Sequence, residues 1–92
     1  MNQHNILIIE DDTGIQALTK FSLEMDDYWQ VTSAFNGHEG LFKAMNINPD
    51  VILLDLMMPD MGGIEILEKL QSDRTTQNIP VILFTAKLME VE

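Results

Sequence analysis

The chain contains no cysteine. Disulfides and thiolate metal sites are therefore excluded, and the composition fits a reducing cytosol. Basic residues are scarce: five Lys and Arg stand against fifteen Asp and Glu, a formal charge of −10. Phosphate backbones and anionic membranes repel such a surface, so direct binding of nucleic acid by this segment is not expected. No apolar run is long enough to cross a bilayer. The start, Met1-Asn2-Gln3-His4-Asn5, lacks the basic and apolar regions of a signal peptide. Repeats, low-complexity stretches and linkers are missing as well. What remains is a small acidic domain expected to work in the cytoplasm.

With 92 residues, of which 46% are hydrophobic, the chain makes one domain near the lower limit for a useful core. Asn5 to Ile9 reads as a buried strand, and Thr13 is expected to cap a helix over Gly14 to Met25. In that helix Ile15, Leu18, Phe21 and Met25 form the predicted inward stripe. Trp29 to Ala34 reads as a weaker edge strand with Tyr28 and Trp29 packed at the sheet edge, and Asn36-Gly37 ends it. A second helix is predicted over about His38 to Asn46, with Leu41, Ala44 and Met45 inward. Pro49 stops it, because the residue before a proline is pushed out of the helical region. Val51 to Leu54 is the third strand. Ile64, Leu67 and Leu70 mark a third helix over about Gly63 to Gln71. Ser72 to Asn78 is a polar loop, and Pro80 opens a fourth strand, Val81 to Phe84. Alternating strands and helices predict an α/β fold, a parallel sheet with helices on both faces. Ligands bind such sheets at the carboxyl ends of the strands.

Two apolar runs deliver acids to that edge. Ile6-Leu7-Ile8-Ile9 ends in Glu10-Asp11-Asp12, and Val51-Ile52-Leu53-Leu54 ends in Asp55 before a Pro/Gly loop. A carboxylate that closes a buried strand is poorly placed for packing and well placed for chemistry. Three carboxylates around one pocket repel one another, and a divalent cation relieves the repulsion while bridging to phosphoryl oxygens. Oxygen ligands with room for water suit Mg²⁺ better than Zn²⁺. Taken without Asp55, Glu10 and Asp11 are as readily a solvated helix start, and Asp12 reads as a helix N-terminal acid. His4 and His38 read as surface residues, and the methionines mostly as core filler, apart from Met57 and Met58 in the loop that borders the pocket.

Three blocks carry a resemblance. Ile6 through Asp12, then Asp55-Leu56-Met57-Met58-Pro59-Asp60-Met61-Gly62-Gly63, then Ile79-Pro80-Val81-Ile82-Leu83-Phe84-Thr85-Ala86 resemble the receiver domain of two-component response regulators. They occur in the family's order and span nearly the whole chain. The resemblance implies a flavodoxin-like three-layer fold of strand order 2-1-3-4-5. It implies that Asp55 accepts a phosphoryl group from a sensor histidine kinase or phosphotransfer domain. It further implies that Glu10, Asp11, Asp55 and the Met57 carbonyl hold Mg²⁺, and that the Thr85 hydroxyl reports the phosphoryl group.

The chain departs from the family after Thr85. It ends at Leu88-Met89-Glu90-Val91-Glu92, at most the start of a fourth helix. The fifth strand with its phosphate-binding lysine and aromatic switch residue, and the fifth helix, are not in this sequence; Lys87 is too close to Thr85 to replace that lysine. The expectation is therefore a receiver domain over residues 1–92, cut short at its carboxyl end, with phosphotransfer slow or absent. An exposed fourth-strand edge would favour a homodimer or a swapped dimer. Transfer to its own side chain does not make the chain an enzyme. The competing reading is a receiver-like assembly module that is not phosphorylated. A phosphohydrolase fits poorly, because Met57 stands where a second aspartate would be needed.

Overall fold

The computed structural model describes residues 3–85. Its elements are β1 (His4–Ile9), α1 (Thr13–Glu24), β2 (Trp29–Ala34), α2 (Gly37–Ile47), β3 (Val51–Asp55), α3 (Gly63–Ser72) and β4 (Val81–Phe84). The strands form one parallel sheet in the order β2-β1-β3-β4. The expected α/β architecture is present, and its order is the first four places of the expected 2-1-3-4-5. The start of a fourth helix, and Lys87, lie outside the described residues.

Successive side chains of a strand point to opposite faces, so each strand feeds two cores. Leu7, Ile9, Ile52 and Leu54 meet Ala44 of α2 and Ile66 and Leu70 of α3 on one face. Ile6, Ile8 and Val31 meet Leu23 of α1 and Trp29 on the other, in a smaller cluster. β1 and β3 therefore read as unbroken apolar runs, as strands covered on both faces must.

Local signals place the helix ends. The Asp12 carboxylate accepts the Ile15 N–H at 2.9 Å, so Asp12, and not Thr13, is the N-cap of α1. Asn36 caps α2 by accepting the Glu39 N–H. Glu39 in turn accepts the Phe35 N–H and pairs with Lys43 one turn on. These two contacts, the Phe35 N–H first, hold the Glu39 carboxyl below its ordinary value. α2 ends at Asn48, which takes the left-handed conformation (φ 54°) and returns its N–H to the Ala44 carbonyl before Pro49. The segment from Asp73 to Asn78 is not simply a polar loop: Thr76 is buried, and its hydroxyl donates to the Leu70 carbonyl at 2.7 Å.

The helix stripes need correction. Leu18, Phe21 and Met25 are 68%, 68% and 73% exposed. α1 packs chiefly on β2, at the border of the sheet, so the face it buries passes through Gln16 and Leu23. The apolar stripe beside that face has no helix against it among the described residues. Met45 and Ile64 also point outward, while Ile66 is fully buried. His4 is no surface residue of a loose terminus: it lies in β1, half-buried, with its ring stacked on Tyr28 at 4.4 Å. Trp29 packs edge-on to both rings.

α2 approaches the sheet closely at Gly40. A Cβ there would lie 2.6–2.8 Å from three side-chain atoms of the buried Ile9. Gly40→Ala is expected to destabilise the fold by about 1–3 kcal/mol through overpacking, read as a lower urea midpoint at unchanged slope.

Candidate functional site

The register of β1 and β3 builds the site. Ile9 lies opposite Leu54, so one residue further along the two strands Glu10 falls beside Asp55. Both acids are fully buried. Asp11, partly buried, completes a group of carboxylates that can offer three oxygens within 4.8 Å of one another. It is the one such acidic group among the described residues. At an effective dielectric constant of 20, two full charges about 4 Å apart repel by about 4 kcal/mol. Oxygen donors so close together at the ends of two paired strands fit a small hard cation, which would supply positive charge between them.

Each acid is held by the backbone around it. The Glu10 N–H donates to the Ala34 carbonyl at 3.0 Å, and the Glu10 carboxylate accepts the Asp12 N–H at 2.8 Å. The Asp55 carboxylate accepts the Met57 N–H at 3.2 Å, which folds residue 57 back beside it. The loop from Leu56 to Gly62 closes where the Gly63 N–H meets the Leu56 carbonyl at 3.0 Å. A side chain at Gly63 would stand 2.7 Å from the Leu56 Cα and 2.8 Å from the Asp55 carbonyl oxygen. Only glycine fits there, which gives Gly63 a physical reason, whereas Gly62 has open space around it.

Thr85 follows β4 directly, next to the register pair Asp55 and Phe84. Its hydroxyl is buried and has no hydrogen-bond partner among the described residues. A cavity of about 380 Å³, lined by Asp11, Leu56, Met57, Met58 and Pro59, opens beside the acids. A cavity of about 360 Å³ at the opposite ends of the strands, lined by Asn48, Asp50 and Arg74 among others, has no such acidic group. The structure thus brings together Glu10, Asp11 and Asp55, with Met57 and Thr85 adjacent to Asp55 in the chain or the register.

Two contributors escape sequence reasoning. Gln16 of α1 is 2% exposed, and its amide nitrogen lies within hydrogen-bond reach of the carbonyls of Ile8, Glu10 and Ala34 at 3.0, 3.1 and 2.7 Å, with two N–H bonds to share among them. Asp60, in the loop after Asp55, accepts the Gly37 N–H at 3.0 Å and meets the His38 N–H and the ring Nδ1. It therefore sits at the positive end of α2. Burial pushes the Asp60 carboxyl up, but the bonds from Gly37 and His38 together outweigh it and hold the group below its ordinary value. Helical spacing placed the inward stripe on Ile15, Leu18, Phe21 and Met25, so no local signal marked Gln16 as buried. The Asp60 contact joins residues far apart in the chain and gave none.

With this geometry in place, comparison with known proteins is decisive. The profile of the response regulator receiver domain matches residues 6–92. The chain is 42% identical, over 88% of its length, to the DNA-binding dual master transcriptional regulator RpaA of Synechocystis. It is 38% identical over 94% of its length to the transcriptional regulatory protein ResD of Bacillus subtilis. It spans 33% and 34% of those two proteins. The N-terminal domain of a response regulator receiver protein from Methanoculleus marisnigri superposes with a TM-score of 0.87 at 36% identity, covering 94% of this chain and 69% of that one. The receiver domain of Francisella response regulator 1452 gives 0.82 at 35%, covering 92% and 68%. The chain belongs to the response regulator receiver domain family of two-component signalling.

The Asp60 contact has a defined pH dependence. A carboxyl lowered on folding contributes stability in full above its ordinary value of 3.8, and that contribution is lost as pH falls through the lowered value. Asp60→Ala is expected to be less stable than the native chain at neutral pH. In urea titrations the gap between the two is expected to close below about pH 4.

Proposed function

We propose that the chain is the phospho-accepting receiver of a two-component phosphorelay, with Asp55 as the acceptor. The observation that carries this reading is the convergence of Glu10, Asp11 and Asp55 within 4.8 Å at the carboxyl ends of two parallel strands. In transfer, an Asp55 carboxylate oxygen bonds to phosphorus as the nitrogen–phosphorus bond of a phosphohistidine breaks. The imidazole leaves with the electron pair and takes up a proton. Donors of this chemistry are a sensor histidine kinase or a phosphotransfer domain, and both are our proposed partners.

Mg²⁺, held by Glu10, Asp11, Asp55 and the Met57 carbonyl, would neutralise charge between the acids and the phosphoryl oxygens. The chain's own residues do the rest. The Met57 N–H orients the Asp55 carboxylate, and the surrounding loop limits access to it. Thr85 supplies a buried hydroxyl one residue beyond Asp55's strand partner, suited to bonding a new phosphoryl oxygen. Phosphorylation adds about −1.5 to −2 of charge at neutral pH, enough to reorder neighbouring hydrogen bonds. Because the group stays on Asp55, the chain turns over no free substrate, and we do not class it as an enzyme. No helix among the described residues is long and apolar enough to cross a membrane. We place the work of the domain in the cytoplasm, without direct contact to nucleic acid or membrane.

β4 is the border strand of the sheet among the described residues, and Ile82 and Leu83 are 53% and 39% exposed. An apolar parallel edge invites pairing, and we propose that this chain self-associates through it.

Incubation with acetyl phosphate and Mg²⁺, followed by intact mass, tests the acceptor role. Addition of a single phosphoryl group is expected, and none with Asp55→Ala or after chelation. Addition that persists in Asp55→Ala refutes the assignment. For the edge, light scattering across a concentration series is expected to show dimers that Ile82→Lys abolishes. A monomer at every concentration ends that proposal.

A further inference from the structure

We propose that Gln16 is a positioning residue for the cation site, setting the peptide between Glu10 and Asp11 so that both carboxylates face the same ion. The inference rests on the reading of the acidic rim given above. Gln16 closes the first turn of α1, and its side chain is buried where the ends of β1 and β2 meet. Its amide nitrogen reaches three carbonyls, Ile8, Glu10 and Ala34. Three acceptors on one side fix the amide orientation, since a flip would set its oxygen against all of them.

The Glu10 carbonyl belongs to the peptide that joins the two acids. β1 ends at Ile9, so that peptide lies just past the end of the strand. Its N-terminal neighbour is held by the Glu10 N–H on Ala34, and Gln16 Nε2 grips the same Ala34 carbonyl as well as that of Glu10. One side chain thus ties α1, the tip of β1 and the tip of β2 at the residue pair that offers the ligands. The groups that hold metal ligands in register are felt in affinity, and their loss typically costs about 10–100-fold.

A second buried clamp separates positioning from plain stability. Thr76 is also 2% exposed, and its hydroxyl bonds the Leu70 carbonyl at the far end of α3. We would titrate MgCl₂ by calorimetry into the native chain, Gln16→Met and Thr76→Val, with urea midpoints and circular dichroism for each. Both variants are expected to lose stability. Gln16→Met is expected to bind Mg²⁺ at least about tenfold more weakly, and Thr76→Val to bind as the native chain does. If Gln16→Met does not fold, Gln16→Asn, whose amide falls one methylene short, is expected to show the same direction of change. Native Mg²⁺ affinity in the folded Gln16 variant overturns the inference. An equal loss in Thr76→Val overturns it too, by showing that affinity merely follows stability. A native chain that binds no Mg²⁺ overturns the reading of the acidic rim, and the inference with it.

Discussion

The parallel pairing of β1 with β3, in the register that sets Ile9 against Leu54, is the constraint on which the rest of this structure hangs. A slip of one residue would turn the apolar side chains of β1 onto the wrong faces and carry Glu10 away from Asp55. The two cores oppose any such slip, because Leu7 and Ile9 are buried on one face while Ile6 and Ile8 are buried on the other. Hydrophobic burial therefore positions the acids, although the acids take no part in it. Packing free energy is spent holding like charges together, a configuration the carboxylates would not choose.

Around that register, side chains that bond to the backbone act as a frame. Gln16 fastens the tips of β1 and β2 to α1. Asp12 receives α1's first turn while its own N–H steadies Glu10. Gly63 lets α3 begin in contact with the end of β3. Such bonds join elements that share few apolar contacts at this end of the sheet. The larger, dry cluster lies under α2 and α3, and the helix that opens beside the acids, α1, covers the smaller one. Polar contacts at the rim thus add to the register that burial sets.

Much of this was legible in the chain itself. Unbroken runs such as Ile6 to Ile9 can only be strands covered on both sides, and their common direction follows from the intervening helices. An acid closing such a run announces itself, as Asp55 does. The helix faces were less legible. Leu18, Phe21 and Met25 follow helical spacing but point outward, since α1 leans to the border of the sheet and buries Gln16 instead. Periodicity gives the existence of a stripe, while its direction is decided by neighbours that the local sequence does not contain. Thr76 and Asp60 were opaque for the same reason: each acts through a partner met only after folding.

The bond from Asp60 to the start of α2 has a mechanical corollary. The acid lies in the segment that leads away from Asp55, yet it closes the first turn of a helix whose other contacts are with β1, β2 and α3. That segment and the α2 terminus form a linkage with one joint. Displacement at the loop must either drag the helix end with it or break the joint and strip the turn of its counter-charge. In both cases a change at the sheet's rim is delivered to a surface that touches none of the three acids.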